Sequence, residues 1–208
     1  MTITMALERN FFFDYARRVL FDGKFRQRQV DGLNLLLDYW DRYFPQDDMR
    51  WLAYALATVH YEVDRTMQPI REHGSEAYFR KMYDIEGDNP RKARLLGNIH
   101  PGDGARFCGR GFVQLTGRRN YEDWSARLDI DLAGNPDLAL EGSIAATILF
   151  EGMRLGTFTG KGFADYFNTE KTDWINARRI VNHLDKANLI AGFARNYLIA
   201  LTFTGYRF

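Results

Sequence analysis

The sequence contains one cysteine, Cys108, among its 208 residues, so no disulfide can form within the chain. A chain without disulfides suits a reducing compartment.

An excess of charge of one sign is also missing, because the 28 Lys and Arg residues are balanced by 27 Asp and Glu residues. This balance excludes the strong positive field that marks many nucleic-acid-binding domains. No segment reaches the roughly 18 consecutive apolar residues of a membrane-spanning helix. We therefore expect neither nucleic acid as a partner nor stable insertion in a membrane.

A secretory signal peptide is also missing from the sequence as given. The apolar patch at residues 11–13 is bracketed by Glu8, Arg9 and Asp14, and no longer apolar stretch follows it. The prediction is a protein made in the cytoplasm, which another route must release if it acts outside the cell.

Standard metal and nucleophile motifs do not occur. His60, Glu62 and His73 lie near one another in the sequence, but they do not match a zinc-binding spacing such as H-E-x-x-H. Cys108 has no nucleophile-elbow motif around it and is predicted to be a plain thiol. The turn at residues 109–111 lacks the following Lys-Ser/Thr of a P-loop, so we expect no nucleotide site.

Helical periodicity dominates the rest of the sequence. Asp47 or Asp48 can cap a helix that begins near Met49, and this helix should end before Pro69. Its apolar residues lie on most sides, which predicts that it is buried. The other predicted helices cover residues 11–22, 27–44, 75–83, 118–128, 136–155, 173–184 and 188–203.

The pattern is lost between residues 85 and 110, which are rich in Gly, Pro, Asn and Asp. A connection of this length is functional in many proteins when it is ordered. The best strand candidate is short and covers residues 111–116. The predicted fold class is therefore mainly α, a helical domain with a long central loop and at most a small β element.

Two carboxylates have the placement that acid–base chemistry requires. Glu62 lies near the end of an apolar helix, where partial desolvation disfavours the charged form and suits a general acid. Glu72 follows in the next turn, with Glu76 and Glu86 as further candidates. Inverting glycosidases need two carboxyl groups about 6.5–9.5 Å apart, so that a water fits between them.

The segment of residues 107–121 carries neutral polar groups next to glycines. Gly109 and Gly111 permit unusual backbone angles and close approach of a ligand. Gln114, Thr116 and Asn120 offer donors and acceptors that suit sugar hydroxyls and acetamides, or that can hold a nucleophilic water.

Taken together, these segments resemble glycoside hydrolase family 19, the family of chitinases and phage endolysins. The resemblance covers roughly residues 50–200. It lies in residues 58–62, 66–72, 97–98, 101–104, 109–117, 120–121 and 177–182, in that order. Two neighbours of Glu62 depart from the family pattern, because Tyr61 precedes it where the family has His, and Val63 follows it where the family has Ser or Thr.

The resemblance implies a lysozyme-like fold and a role for each site residue. Glu62 would be the general acid and Glu72 the general base, with Glu76 as the reserve choice, and Thr116 would help to hold the attacking water. The family uses no metal or organic cofactor and inverts the anomeric centre. The substrate-binding residues would be Arg110, Gln114, Asn120, Tyr121 and Asn182.

The function implied is that of a phage or prophage endolysin, a muramidase-like enzyme that cleaves β-1,4 bonds of peptidoglycan after release to the cell wall. The alternatives are a chitinase that acts on chitin oligomers and a catalytically weak wall-binding protein. We expect a monomer in which residues 1–48 form a helical extension packed on a catalytic domain of residues 49–208.

Overall fold

The computed structural model describes residues 8–202. Within that range the chain is mainly helical, with two short strands, which confirms the predicted fold class. The helices are α1 (Arg9–Leu20), α2 (Gln27–Tyr43), α3 (Met49–Glu62), α4 (Glu76–Tyr83), α5 (Pro90–Leu95), α6 (Asp103–Arg106), α7 (Arg118–Leu128), α8 (Gly142–Leu155) and α9 (Ala187–Thr202). The strands are β1 (Ile70–Arg71) and β2 (Arg110–Gly111), and 3-10 helices cover Pro136–Leu140, Phe163–Asp165 and Asn176–Ile180.

The chain divides into two compact units. One contains the residues up to Met67 together with those from Leu149 onward, and the other contains residues 68–148. Helices α1 and α2 share the first unit with α3 and α9. The separate extension of residues 1–48 stays a prediction, and residues 1–7 and 203–208 of the predicted domains lie outside the described residues. None of the helices between residues 8 and 202 has the length and apolar character needed to cross a membrane.

Helix α3 forms the centre of the first unit. Asp48 caps it as predicted, because its side chain accepts a hydrogen bond from the backbone N–H of Arg50. All nine residues at positions 52–60 are buried. Helix α3 packs against α9, which also packs against α1. The small side chains of Ala191 and Ala194 are buried on α9, and the ring of Tyr197 stacks on Phe12 of α1.

The second unit is organised by the antiparallel pair β1–β2. Ile70 pairs with Gly111, and Arg71 pairs with Arg110. Helix α4 packs on α6 in the same unit. One small apolar cluster of this unit contains Phe79, Ala105 and Cys108, with Tyr83 packed against it. Cys108 is a buried free thiol.

The central segment of residues 85–110 is more regular than the sequence predicts, because it contains α5 and α6. Three buried polar side chains hold it in place. Asp84 accepts a hydrogen bond of 2.7 Å from the N–H of Gly102, and Asn98 accepts one of 2.8 Å from the N–H of Arg118. Asp103 accepts two backbone N–H groups and forms an ion pair with Arg118. The prediction of an irregular loop was therefore wrong for α5 and α6.

Two predicted helices are also shorter in the structure. The helix predicted at 136–155 is interrupted, because Glu141 is extended between the 3-10 helix Pro136–Leu140 and α8. The segment predicted at 173–184 contains only the 3-10 helix Asn176–Ile180, since the Asp173 side chain accepts the N–H of Asn176 and starts a tight turn. The last predicted helix corresponds to α9, and its residue 203 lies outside the described residues.

The strand predicted at residues 111–116 is almost absent. Only Gly111 lies in a strand, because Gln114 has a left-handed backbone with φ of 54° that reverses the chain. Leu115 then pairs back with Arg110 through two backbone hydrogen bonds. The result is a tight turn that presents the side chains of residues 114–116 from one short segment.

Buried His60 generates a prediction about stability. Its Nδ1 lies 3.0 Å from the hydroxyl of Tyr197, and burial, assisted by the charge of Arg65, lowers its pKa to about 4. The unfolded chain has the ordinary His pKa near 6.5 and takes up a proton more readily than the fold does. The stabilisation is therefore complete above about pH 6.5 and is lost as the pH falls towards 4. We expect this group to lower the free energy of unfolding by roughly 2–3 kcal/mol between pH 7.5 and 4.5.

Urea denaturation of the wild type and of His60→Leu at several pH values measures this effect. The variant is less stable at neutral pH, since the hydroxyl of Tyr197 loses its partner, but its stability should depend less on pH. Parallel pH profiles for the two proteins would show that His60 is not the group responsible.

Candidate functional site

Glu62 is the last residue of α3, and its side chain is 18% exposed. Nη1 of Arg178 lies 2.6 Å from Oε1 of Glu62. Arg178 belongs to the 3-10 helix Asn176–Ile180, and its side chain is only 2% exposed. A charged hydrogen bond this short restricts the carboxylate to one orientation. No hydrogen-bond partner for Oε2 of Glu62 is present among residues 8–202.

Arg178 is itself fixed by further contacts in the first unit. Its Nε donates to the carbonyl of Asp185 at 3.1 Å, and its guanidinium lies 5.7 Å from the ring centroid of Tyr61. A buried guanidinium is costly unless its N–H groups find acceptors. Oε1 of Glu62 supplies one of them, so the two side chains depend on each other for their position.

The backbone that follows Glu62 is strained. Asp64, Arg65 and Met67 all have positive φ, at 47°, 62° and 55°. Side chains other than glycine rarely adopt this region, and each such residue costs about 1–3 kcal/mol. The turn is held by a bond of 2.9 Å from the N–H of Arg65 to the carbonyl of His60, and by Gln29, whose side chain donates to the carbonyl of Arg65. The chain is therefore turned sharply within five residues of the carboxylate.

Glu72 is held in the second unit by two donors. The Tyr83 hydroxyl donates to Oε1 at 2.7 Å, and the N–H of Gly109 donates to Oε2 at 3.1 Å. The backbone N–H of Glu72 donates in return to the carbonyl of Gly109 at 2.8 Å. Burial and the hydrogen bond to Glu72 raise the pKa of Tyr83, so its hydroxyl remains a donor at neutral pH. The carboxylate thus has a defined position beside the turn that starts at Gly109.

Three side-chain oxygens converge on Gly109. A Cβ atom at this residue would lie 2.7 Å from Oε1 of Gln114, and 3.2 Å from both Oε2 of Glu72 and Oγ1 of Thr116. The absence of a side chain at Gly109 therefore creates the space around which these groups gather. The structure brings together the predicted base, the predicted water-holding residue and one predicted sugar-binding residue.

The turn of residues 114–116 is braced by its own hydrogen bonds. Nε2 of Gln114 donates to the carbonyl of Ile70 at 3.1 Å, which ties the turn to β1. Oγ1 of Thr116 donates to the carbonyl of Gln114 at 2.8 Å, and Nδ2 of Asn120 donates to the carbonyl of Thr116 at 2.7 Å. All three side chains are half-buried, so each is fixed and still accessible.

Arg110 and Tyr121, predicted to bind substrate, are buried in the second unit. Nη1 of Arg110 lies 3.1 Å from the Tyr121 hydroxyl, and both side chains donate to the carbonyl of Cys108 at 3.0 Å. Arg110 also pairs with Asp137. These contacts brace the backbone next to Gly109, which favours a supporting role for both residues over contact with a ligand.

The remaining candidates are exposed. Glu76 pairs with Arg80 one helical turn away at 2.6 Å, so it already has a cationic partner. Asn182 lies in the first unit, where its N–H donates to the carbonyl of Arg178 and its side chain accepts from the N–H of His183. Asn182 thus follows directly on the turn that positions the partner of Glu62.

Sequence reasoning missed two residues of these clusters. Arg178 lies in the segment of residues 177–182 that carries the resemblance, but the sequence does not distinguish it from its neighbour Arg179, and only its burial does. The sequence assigns Tyr83 no role beyond its place in the helix predicted at residues 75–83. Its hydroxyl contact with Glu72 has no signal in the sequence, since it depends on how the chain folds back.

The fold has counterparts among solved structures. Chitinase C from Streptomyces griseus HUT6037 has 17% sequence identity and a TM-score of 0.52, over 92% of this chain and 73% of that chain. A mutant of chitinase C has 18% identity and a TM-score of 0.43, over 71% of this chain, and the match spans about half (54%) of that chain. A bacterial family 19 chitinase has 16% identity and a TM-score of 0.43, over 90% of this chain and 94% of that chain.

No family model matches the sequence, and no curated protein matches it. The likeness is therefore one of fold. Of the three structures named above, chitinase C from Streptomyces griseus is matched with a TM-score of 0.52 over 92% of this chain. This match shows that this chain has the fold of that chitinase, mainly helical with a small β element.

Proposed function

We propose that the protein is a glycoside hydrolase that cleaves β-1,4 bonds between amino sugars and inverts the anomeric centre. The observation that carries this proposal is the cluster at Gly109, where a fixed carboxylate, Glu72, and a hydroxyl, Thr116, lie around one small space. A base and a second polar group at one point are what is needed to hold and deprotonate a water molecule. The fold shared with a chitinase supports the same reaction class.

Glu72 acts as the general base in this proposal. Its carboxylate takes a proton from a water that Thr116 helps to hold, and the water oxygen bonds to the anomeric carbon. Tyr83 and the N–H of Gly109 keep the carboxylate in place while leaving it further acceptor capacity. Glu76 is less suited to this role, because Arg80 already pairs with it.

Glu62 acts as the general acid. As the bond between the anomeric carbon and the leaving oxygen breaks, its electron pair stays on that oxygen, which receives a proton from Glu62. Arg178 contacts Oε1 of Glu62 and leaves Oε2 without a partner among the described residues, so Oε2 is the atom that would carry the proton. Gln114, Asn120 and Asn182 would bind sugar hydroxyls and acetamides.

We propose peptidoglycan as the polymer, so that the protein works as an endolysin of phage or prophage type that reaches the wall through holin-type export or lysis. A fold with one buried thiol needs no oxidising compartment to mature, which supports synthesis in the cytoplasm. Chitin is the second candidate substrate, favoured by the activity named for chitinase C from Streptomyces griseus.

Carboxylate-to-amide substitutions test the acid and base roles. Glu62→Gln retains an oxygen that can accept from Arg178, and Glu72→Gln retains one for Tyr83, but neither amide can transfer the proton. Each variant should cut at least about 100-fold more slowly than the wild type, because general acid–base catalysis contributes 10²–10⁴-fold. Peptidoglycan and chitin oligomers are incubated with each protein, and the fragments and their anomeric form are read by mass spectrometry and NMR.

Glu76→Gln is the matched control and should cut at the wild-type rate. A wild-type rate for Glu62→Gln would contradict its acid role. Binding of either polymer by the wild type without new reducing ends would instead indicate a catalytically weak wall-binding protein.

The space at Gly109 gives a second test. Gly109→Ala places a Cβ too close to Gln114 and in contact with Glu72 and Thr116, so we expect the cleavage rate to fall at least tenfold, as displaced catalytic groups cost that much or more. Unfolding temperature should change little, because the end of the Gln114 side chain can move.

Gly192→Ala on α9 is the control, since no atom lies within 4 Å of the added Cβ. Alanine should stabilise this helix by about 0.5–1 kcal/mol and leave cleavage unchanged. Equal cleavage rates for Gly109→Ala and the wild type would show that the cluster does not hold the reacting water.

A further inference from the structure

A pocket of about 610 Å³ lies within residues 68–148 and has no role in the reaction described above. Its volume is in the range of pockets that hold small-molecule ligands. Five arginines line it, and Glu72, Gln114 and Thr116 do not. The arginines are Arg71, Arg80, Arg106, Arg110 and Arg118.

Three of these arginines are already neutralised. Glu76 pairs with Arg80, Asp137 with Arg110, and Asp103 with Arg118, and all three carboxylates also line the pocket. The two remaining arginines, Arg71 and Arg106, therefore give the pocket a surplus of positive charge. A site with this surplus attracts anions, and guanidinium groups bind carboxylates or phosphates through paired hydrogen bonds.

Arg71 and Arg106 carry that surplus. Among residues 8–202, neither has a carboxylate within ion-pairing distance. Arg106 uses Nη2 for the carbonyls of Ala133 and Gly134, which fixes the side chain while its other nitrogens remain free of partners in the described chain. Arg71 lies with its guanidinium 5.5 Å from the ring centroid of Phe79. Both cations are thus positioned by neutral groups.

The pocket lies on the other side of the β1–β2 ribbon from Glu72. Adjacent residues of an extended strand point to opposite faces, and Glu72, which directly follows Arg71, still pairs with Gly109 through its backbone. Arg71 and Arg110, which face each other in the ribbon, both line the pocket. A ligand in the pocket would therefore leave the space at Gly109 open.

We propose that this arginine pocket binds the carboxylates of the peptide carried by a peptidoglycan strand whose glycan lies at Glu72. The inference rests on the proposed function, and it names the feature that separates the two candidate polymers. Chitin carries no charge, whereas the wall peptide carries several carboxylates. An extended peptide of four residues spans roughly 13 Å. The two strands of the ribbon are about 4.8 Å apart, so a peptide of this length can reach around the ribbon from the glycan to the pocket.

The test measures binding of three soluble probes by isothermal titration. They are a wall disaccharide that carries a tetrapeptide, the same disaccharide without peptide, and glycerol phosphate. Neither disaccharide needs to be cut for its binding to be measured. The wild type should bind the peptide-bearing probe about tenfold or more tightly than the peptide-free one, and added salt should reduce only that advantage.

The double variant Arg71→Gln, Arg106→Gln should lose the preference. The double variant Arg91→Gln, Arg94→Gln is the matched control, because both arginines are exposed in the same unit, outside the pocket, and their substitution removes the same two charges. It should bind both disaccharides as the wild type does. Arg71→Lys with Arg106→Lys should keep most of the preference. The Lys pair and the salt dependence test the charge even if the Arg71→Gln, Arg106→Gln variant fails to fold.

Equal binding of the two disaccharides by the wild type would overturn the proposal. A preference that survives in a folded Arg71→Gln, Arg106→Gln variant would also overturn it, as would binding of glycerol phosphate through Arg71 and Arg106 in place of the peptide. The assay is independent of catalysis. A peptide preference without cleavage would reject the proposed hydrolase and leave the pocket standing, whereas cleavage without a preference would reject only the pocket.

Discussion

The burial of α3 is the constraint on which the first unit depends. Nine consecutive buried residues require neighbours on every side of the helix, and α9 supplies one of the largest of these surfaces. The helix ends at Glu62, just after the buried residues give way to half-buried ones. Because the side chain is partly enclosed, its position is set by the packing of the helix. The position of Arg178 then follows from the same constraint, since a buried guanidinium needs hydrogen-bond acceptors and Oε1 of Glu62 is one of them.

The second unit fixes its carboxylate in another way. Glu72 exchanges hydrogen bonds with Gly109 through both its backbone and its side chain, so the end of β1 is tied to the start of the turn that follows. The turn is short and self-braced, and Arg110 and Tyr121 hold the backbone beneath it. Polar contacts thus fix the carboxylate of Glu72, whereas apolar packing of α3 sets the position of Glu62.

The sequence predicts the elements whose signals are local. Helix α3, its cap at Asp48 and the mainly helical class follow from periodicity and capping chemistry. Helices α5 and α6 have six and four residues, too few for a periodic pattern. Helix α6 is stabilised by buried polar contacts with distant residues, because Asp84 accepts the N–H of Gly102 and Asp103 pairs with Arg118. The break at Glu141 was missed because a proline at a helix start fits a 3-10 helix as well as an α-helix.

In the candidate site, too, the sequence predicts the associations between residues that are close in the chain. Gly109, Gln114 and Thr116 lie within eight positions of one another, so their association was visible as a motif. Arg178 lies 116 residues from Glu62, and no pattern in one sequence connects the two. The motifs also could not separate residues that contact a ligand from those that support the backbone. Burial makes that distinction, and it depends on the whole unit.

The left-handed residues after Glu62 have a consequence for how this protein can change. Three non-glycine residues within four positions have a costly backbone conformation, which lowers the free energy of unfolding. The native state is therefore less stable than the same core would be with a relaxed turn. Substitutions that relieve this strain are an accessible route to a more heat-resistant protein, but they would loosen the segment that ends at the carboxylate. At residues 64–67, a substitution that raises stability is therefore expected to lower activity. Substitutions on distant helix surfaces can raise stability without this effect.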